Sequence, residues 1–290
     1  MGLTGNGFII AVNFYDWVRS RDINTSNFII SWLGVSNFIL QGTLLVSACF
    51  YLLQRDMYYI EPLRKTLIIF RYSLLSSSLW FSTWLCLYYC LKILSCSQPF
   101  FVLLRVRFPK LVAPMLLGST LVSLVISLPM AWDFYQISST NATDAAGNSP
   151  AHWIYNSSCS CTFYIYVVVS SLAFVILSSS AVVLIVSLFR HMKRMEQNMS
   201  SLRNLRLEAH QAAAKTVLFL LLFSFSHYLS QMLLILYVIK PNTDSYTLFY
   251  LVVTFFPTLN SIILVQGSAS LKKALNRFLL RTKCYCCCRE

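Results

Sequence analysis

Arg71, His227 and Gln231 are polar side chains set inside otherwise apolar runs, where they could meet a small molecule. Arg71, Leu75, Ser78 and Ser82 follow one another at steps of four, three and four, which places them on one face of a helix, with Tyr72 beside the first. His227 and Gln231 are four apart, and Tyr246, Tyr250 and Val253 make a third stripe. These residue types recognise a ligand by charge, hydrogen bonds and aromatic rings. They lack the converging acids, activated nucleophile or metal ligands that turnover needs, so the chemistry expected is binding rather than catalysis. Arg71 is the sharpest signal. A guanidinium inside an apolar helix is costly unless it faces a polar cavity or snorkels to the headgroups. In a cavity it would favour ligands with an acidic group or a strong hydrogen-bond acceptor. His227 would serve equally well in a helix-packing hydrogen bond, and Tyr246 in the interfacial aromatic belt.

The cysteines carry a second kind of chemistry. Cys284, Cys286, Cys287 and Cys288 lie among Arg281, Lys283 and Arg289 at the C-terminus. Three consecutive cysteines cannot wrap an ion as spaced ligands do, whereas cysteines beside basic residues after a membrane helix suit S-palmitoylation. Cys159 and Cys161 could pair with Cys49, and Cys86, Cys90 and Cys96 read as small core or lipid-facing residues. No metal site and no cofactor are expected.

The elements that must position these residues follow from composition. A chain of 290 residues that is 57% hydrophobic and 11% charged has too few polar groups to cover a water-soluble globule, so lipid must cover part of it. Crossing the hydrocarbon takes about 20 apolar residues. Charge-free stretches predict seven spans, at 2–18, 28–50, 67–92, 111–132, 162–189, 215–239 and 246–266. Runs such as Leu218–Phe223 do not alternate apolar with polar, which excludes barrel strands. The expected fold is therefore all-α, an integral membrane bundle of seven transmembrane helices. Assigning the 23 Lys and Arg to alternate sides puts 18 on one side and 5 on the other, and the positive-inside rule then sets the N-terminus outside and the C-terminus in the cytoplasm. The net charge of +13 thus reads as membrane topology, not as nucleic-acid binding. No basic n-region precedes the first span, so a cleavable signal is not expected, and Asn6 breaks the myristoylation pattern.

Residues 133–161 hold no Lys or Arg and form the expected second extracellular loop. Its sequons at Asn141 and Asn156 face the compartment where glycans are added, whereas those at Asn24 and Asn198 fall on the basic side. Residues 267–290 form a basic cytoplasmic tail that carries the cysteine cluster.

Further residues give a resemblance. The third span runs Trp80-Phe81-Ser82-Thr83-Trp84-Leu85-Cys86-Leu87-Tyr88-Tyr89-Cys90-Leu91-Lys92-Ile93 and lacks the Asp-Arg-Tyr of most rhodopsin-like receptors. Gly5-Asn6-Gly7-Phe8-Ile9 with Asn13 and Asp16-Trp17 opens the chain. Leu184-Ile185-Val186-Ser187-Leu188-Phe189-Arg190-His191 with Met195 closes the fifth span. His210, Ala213, Lys215 and Thr216 precede the sixth, and Pro257, Ser261–Leu264 and Leu271-Lys272 mark the seventh. In order and spacing this resembles the bitter taste receptors (taste receptor type 2) among the G-protein-coupled receptors, over essentially the whole chain. A vomeronasal type 1 receptor is the nearest rival. A small-solute transporter is more distant, because the chain shows no internal repeat and Asp16 is the one acid in the seven spans.

The resemblance implies a plasma-membrane receptor whose cavity, among the outer halves of helices 3, 5, 6 and 7, takes bitter small-molecule agonists. It implies an inner rim of Tyr89, Lys92, His191, His210 and Lys215 facing a heterotrimeric G protein of the gustducin or inhibitory class, and leaves open a receptor oligomer. Departures from the family pattern fall at Asn37, where Arg is usual, at Ala173, where Pro is usual, and at Asn260, where His is common.

Overall fold

The structure is a computed structural model. It describes the chain apart from residues 22–23, 55–59, 94–98, 130–133, 137–152, 156–159, 197–201, 237–243 and 288–290. Side chains at 61, 93, 99–101, 134–136, 153–155, 160–163, 188, 191–192, 194–196, 202–217, 269 and 281–287 also lie outside that description.

Eight helices carry the described residues: α1 (Gly2–Ser20), α2 (Thr25–Leu53), α3 (Glu61–Ile93), α4 (Pro99–Ser127), α5 (Ser160–Glu196), α6 (Leu202–Ile235), α7 (Asp244–Gly267) and α8 (Ala269–Cys287). Between α4 and α5 a short ribbon pairs β1 (Phe134–Gln136) antiparallel with β2 (Trp153–Tyr155), Tyr135 opposite Ile154. The helix limits have local causes. Arg21, at φ 53°, turns left-handed after α1 and returns its amide to the Trp17 carbonyl, and the Asn24 side chain accepts from the Ser26 amide to open α2. Pro62 sits in the first turn of α3, where its missing N–H leaves no intrahelical bond unmade.

Packing neighbours run α1–α2–α4–α5–α6–α7 and back to α1, a closed ring, and α3 contacts α2, α4 and α5. The central place of α3 shows in its burial: 67% of its most apolar stretch is buried, against 33–39% for the other long apolar helices. Small hydroxyl residues let neighbours come close. Ser73, Ser76, Ser77, Ser78, Ser82 and Thr83 are all buried, and their hydrogen bonds stay inside the bundle. The main core joins Ile9, Ile29, Leu33, Phe81, Leu85, Phe108, Leu116 and Leu264.

Among the described residues six helices, α2 to α7, are long and apolar enough to cross a membrane. That is one fewer than expected: α1, with 19 residues, is not among them, although it closes the ring through Gly2, Asn6, Ile9 and Asn13. Several helix ends differ from the limits of the charge-free stretches. α4 begins at Pro99 rather than 111, because Arg105, Arg107 and Lys110 continue the helix. It stops at Ser127 rather than 132, since Pro129 disfavours helical geometry in the residue before it. α5 runs on to Glu196, and α6 starts at Leu202, for the same reason as α4. The expected tail is largely helical: α8 docks through the fully buried Leu271 and the Ser270–Asp16 hydrogen bond of 3.1 Å.

Candidate ligand site

Two turns of α3 gather most of the expected site. Arg71 donates to the Tyr250 hydroxyl at 3.3 Å, and its guanidinium carbon stands 4.7 Å from the centroid of the same ring. Tyr246, one turn earlier on α7, stacks on Tyr250 at 6.3 Å. Tyr72 packs edge-on to Tyr166 of α5 at 5.7 Å; Tyr166 donates to the Tyr72 carbonyl at 3.3 Å and accepts from Gln231 of α6 at 2.6 Å. Immediately below, Leu75 and Val253 meet Leu40 in a small buried cluster. His227 is 1% exposed and stacks on Phe256 of α7 at 4.0 Å, and among the described residues neither ring nitrogen has a hydrogen-bond partner. Arg71, Tyr72, Leu75, Gln231, Tyr246, Tyr250 and Val253 are therefore together at one end of the bundle, with His227 one turn of α6 from Gln231.

Ser78 does not join them. Its hydroxyl donates to the Asn37 side-chain oxygen at 2.7 Å and shares a 3.3 Å hydrogen bond with Ser36, so it binds α3 to α2. Helical spacing shows that Ser78 is on one face with Arg71. It does not show that the polar groups of α2 already occupy that level. Tyr166 was missed. It is fully buried, and the signal that finds it is the stripe Tyr166, Ser170, Ala173, Leu177, Ala181 and Leu184, all buried along α5.

The departures at Asn37, Ala173 and Asn260 all fall in the interior. Asn37 takes the Ser78 hydrogen bond. The Ala173 carbonyl accepts from Thr83 at 3.1 Å, joining α5 to α3, and Asn260 is buried with both amide atoms unpartnered. At the other end of α3, Lys92 is exposed, with its ammonium 5.8 Å from the Tyr88 ring centroid. Tyr89 is half-buried in the packing around the main core. The side chains of His191, His210, Lys215, Cys284, Cys286 and Cys287, and all of Asn141, Asn156 and Cys288, lie outside the described residues. Cys49, which could pair with Cys159 or Cys161, is an exposed free thiol on α2, and Cys159 and the Cys161 side chain lie outside the described residues. Away from the Arg71 group, an apolar groove of about 440 Å³ opens between α1 and α2, lined by Phe14, Trp17, Phe28 and Trp32.

A bundle of this kind with a polar, aromatic site at one end could serve several receptor families, so sequence comparison decides. The family model described as Taste receptor protein (TAS2R) matches residues 1–283. The chain belongs to the taste receptor type 2 family. It is similar to taste receptor type 2 member 40 of Gallus gallus, at 31% identity over 96% of this chain and 90% of that one. It is also similar to member 9 of Homo sapiens, at 30% over 98% and 91%, and to member 41 of Rattus norvegicus, at 28% over 97% and 92%. This taste receptor is thus a multi-pass membrane protein and a receptor rather than an enzyme, and the choice against the vomeronasal resemblance is made.

Proposed function

We propose that this receptor binds bitter small molecules at the Arg71 end of its bundle and passes the signal to a heterotrimeric G protein of the gustducin or inhibitory class. The observation that carries the reading is the convergence of α3, α5, α6 and α7 side chains on one polar and aromatic cluster in a chain of this family. An agonist that prefers one packing of these four helices over another shifts the bundle between states, and that differential affinity is all the transmission requires. The opposite rim, with Tyr89, Lys92, His191, His210 and Lys215, is the proposed G-protein face. Cells expressing the receptor with a promiscuous Gα should release calcium on exposure to members of a chemically diverse bitter panel. Silence across the panel at normal surface expression would reject the reading.

The same proposal includes seven crossings, with α1 as the first, the N-terminus outside and α8 on the cytoplasmic surface. The 18 to 5 basic asymmetry supports this orientation. Tags at the N-terminus and within 141–149 should be reached on intact cells, and a C-terminal tag only after permeabilisation. An outside C-terminus would invert the arrangement. In the proposed extracellular loop, Asn141 and Asn156 carry glycans, so glycosidase should speed the gel band and Asn141→Gln should reproduce most of that shift. A band altered only by Asn24→Gln would reverse the orientation. Palmitoylation of Cys284, Cys286, Cys287 and Cys288 completes the proposal, holding the end of α8 at the membrane.

A further inference from the structure

Arg71 meets the tyrosines of α7 and adjoins Tyr72 on its own helix. Its hydrogen bond to Tyr250 and the face of that ring engage it from α7, Tyr246 backs Tyr250, and Tyr72 is its chain neighbour. Among the described residues no carboxylate pairs with it. A guanidinium has five N–H donors in a planar fork that matches a carboxylate or sulfonate with two parallel bonds, and one phenol uses one of the five. A cation held by a phenol and a ring face is only partly compensated, and in an apolar bundle such a group draws an anion strongly.

We infer that Tyr250 is a latch on Arg71, that the ligands which open it are aromatic organic anions, and that their carboxylate or sulfonate takes the place of the Tyr250 hydroxyl. The inference rests on the reading of this end of the bundle as the agonist site, and deepens it to a ligand class. The anion forms a bidentate pair with Arg71, and its ring replaces Tyr250 among Tyr72, Tyr166 and Tyr246. Because Arg71 is on α3 and Tyr250 on α7, opening the latch releases the polar contact between the central helix and α7. A neutral agonist can bind beside the closed latch and gains nothing from Arg71.

The test uses matched probes: benzoate, salicylate and cinnamate, each with its methyl ester, and an arylsulfonate with its sulfonamide. They are applied to the full receptor in the calcium assay, with neutral bitter compounds alongside and surface labelling throughout. Anions should be about tenfold more potent than their neutral partners. Arg71→Gln should cost the anions roughly 10–100-fold in potency and the neutral partners little. Arg71→Lys keeps the charge without the fork and should retain part of the anion preference, which separates recognition from a folding defect. Tyr250→Phe keeps the ring, removes the hydroxyl that competes for the guanidinium, and should raise anion potency roughly 3–10-fold. Equal potency of anion and ester, equal losses for both in Arg71→Gln, or no gain for anions in Tyr250→Phe would each overturn the inference. Responses to neutral compounds without responses to anions would reject this inference and leave the agonist site standing, whereas silence to every compound would reject the site itself.

Discussion

Replacing His227 by Phe should stabilise the ligand-free receptor and weaken its response to agonists, two changes that a purely structural histidine would not show together. The ring is buried, lies 4.0 Å from Phe256, and leaves both nitrogens without partners. A buried polar group without a hydrogen bond costs about 1–3 kcal/mol, and Phe keeps the aromatic stack while removing that cost. The gain should appear as a rise in the unfolding temperature of detergent-solubilised protein, roughly 2–4 °C for each kcal/mol. If one of those nitrogens is held in readiness for a ligand, agonist potency should fall about tenfold in the same variant. Lower stability in His227→Phe would mean that an ordered water or another partner satisfies the ring, and unchanged potency would remove His227 from the site.

The second large effect is an asymmetry between Tyr166 and Gln231. Tyr166→Phe removes the hydroxyl that accepts from Gln231 at 2.6 Å and donates to the Tyr72 carbonyl at 3.3 Å, and it leaves a buried amide unpaired. A loss of about 1–3 kcal/mol is expected. Gln231→Leu alone should cost less, because the freed hydroxyl still has the Tyr72 carbonyl. The double variant should recover much of the Tyr166→Phe loss, since replacing both partners by apolar groups leaves nothing unsatisfied. Thermal unfolding of the four proteins forms a double-mutant cycle, and strict additivity would show that the two side chains do not act as a pair. The cycle also tests how α5, α6 and α3 are joined at the site, because Tyr166 touches all three.

Much of this site was legible because a polar residue in an apolar run must be explained, and Arg71, His227 and Gln231 each stood out on those terms. Tyr166 did not stand out. Its ring is at home in an apolar helix, and only its hydroxyl, invisible to a count of charges, makes it a junction. Ser78 shows the opposite failure. Its spacing along α3 was right, but spacing is a property of one helix, and the partner that took its hydroxyl, Asn37, belongs to another. The helix ends were hidden for a related reason. A charge-free stretch marks an apolar run, not the length of a helix, and α4 and α6 continue through basic residues. The first span drew its apolar count from the same rule, yet α1 buries Asn6 and Asn13 toward its neighbours and keeps Phe14, Trp17 and Val18 outward.

One stretch of α4 differs mechanically from the rest. Pro109 and Pro114 lie inside the helix, five residues apart, and each lacks the N–H that would bond the carbonyl four residues back, at Arg105 and Lys110. Two missing bonds so close together make that stretch the most compliant part of a helix that elsewhere resists bending. Phe108, next to the first of those prolines, is 2% exposed and stacks on Tyr88 at 6.1 Å, beside Tyr89 and Lys92. The end of α3 that faces away from Arg71 therefore packs on a stretch of α4 that lacks two backbone bonds, while hydrogen bonds of Ser76 with Ser123 and of Trp84 with Ser119 tie the two helices farther along.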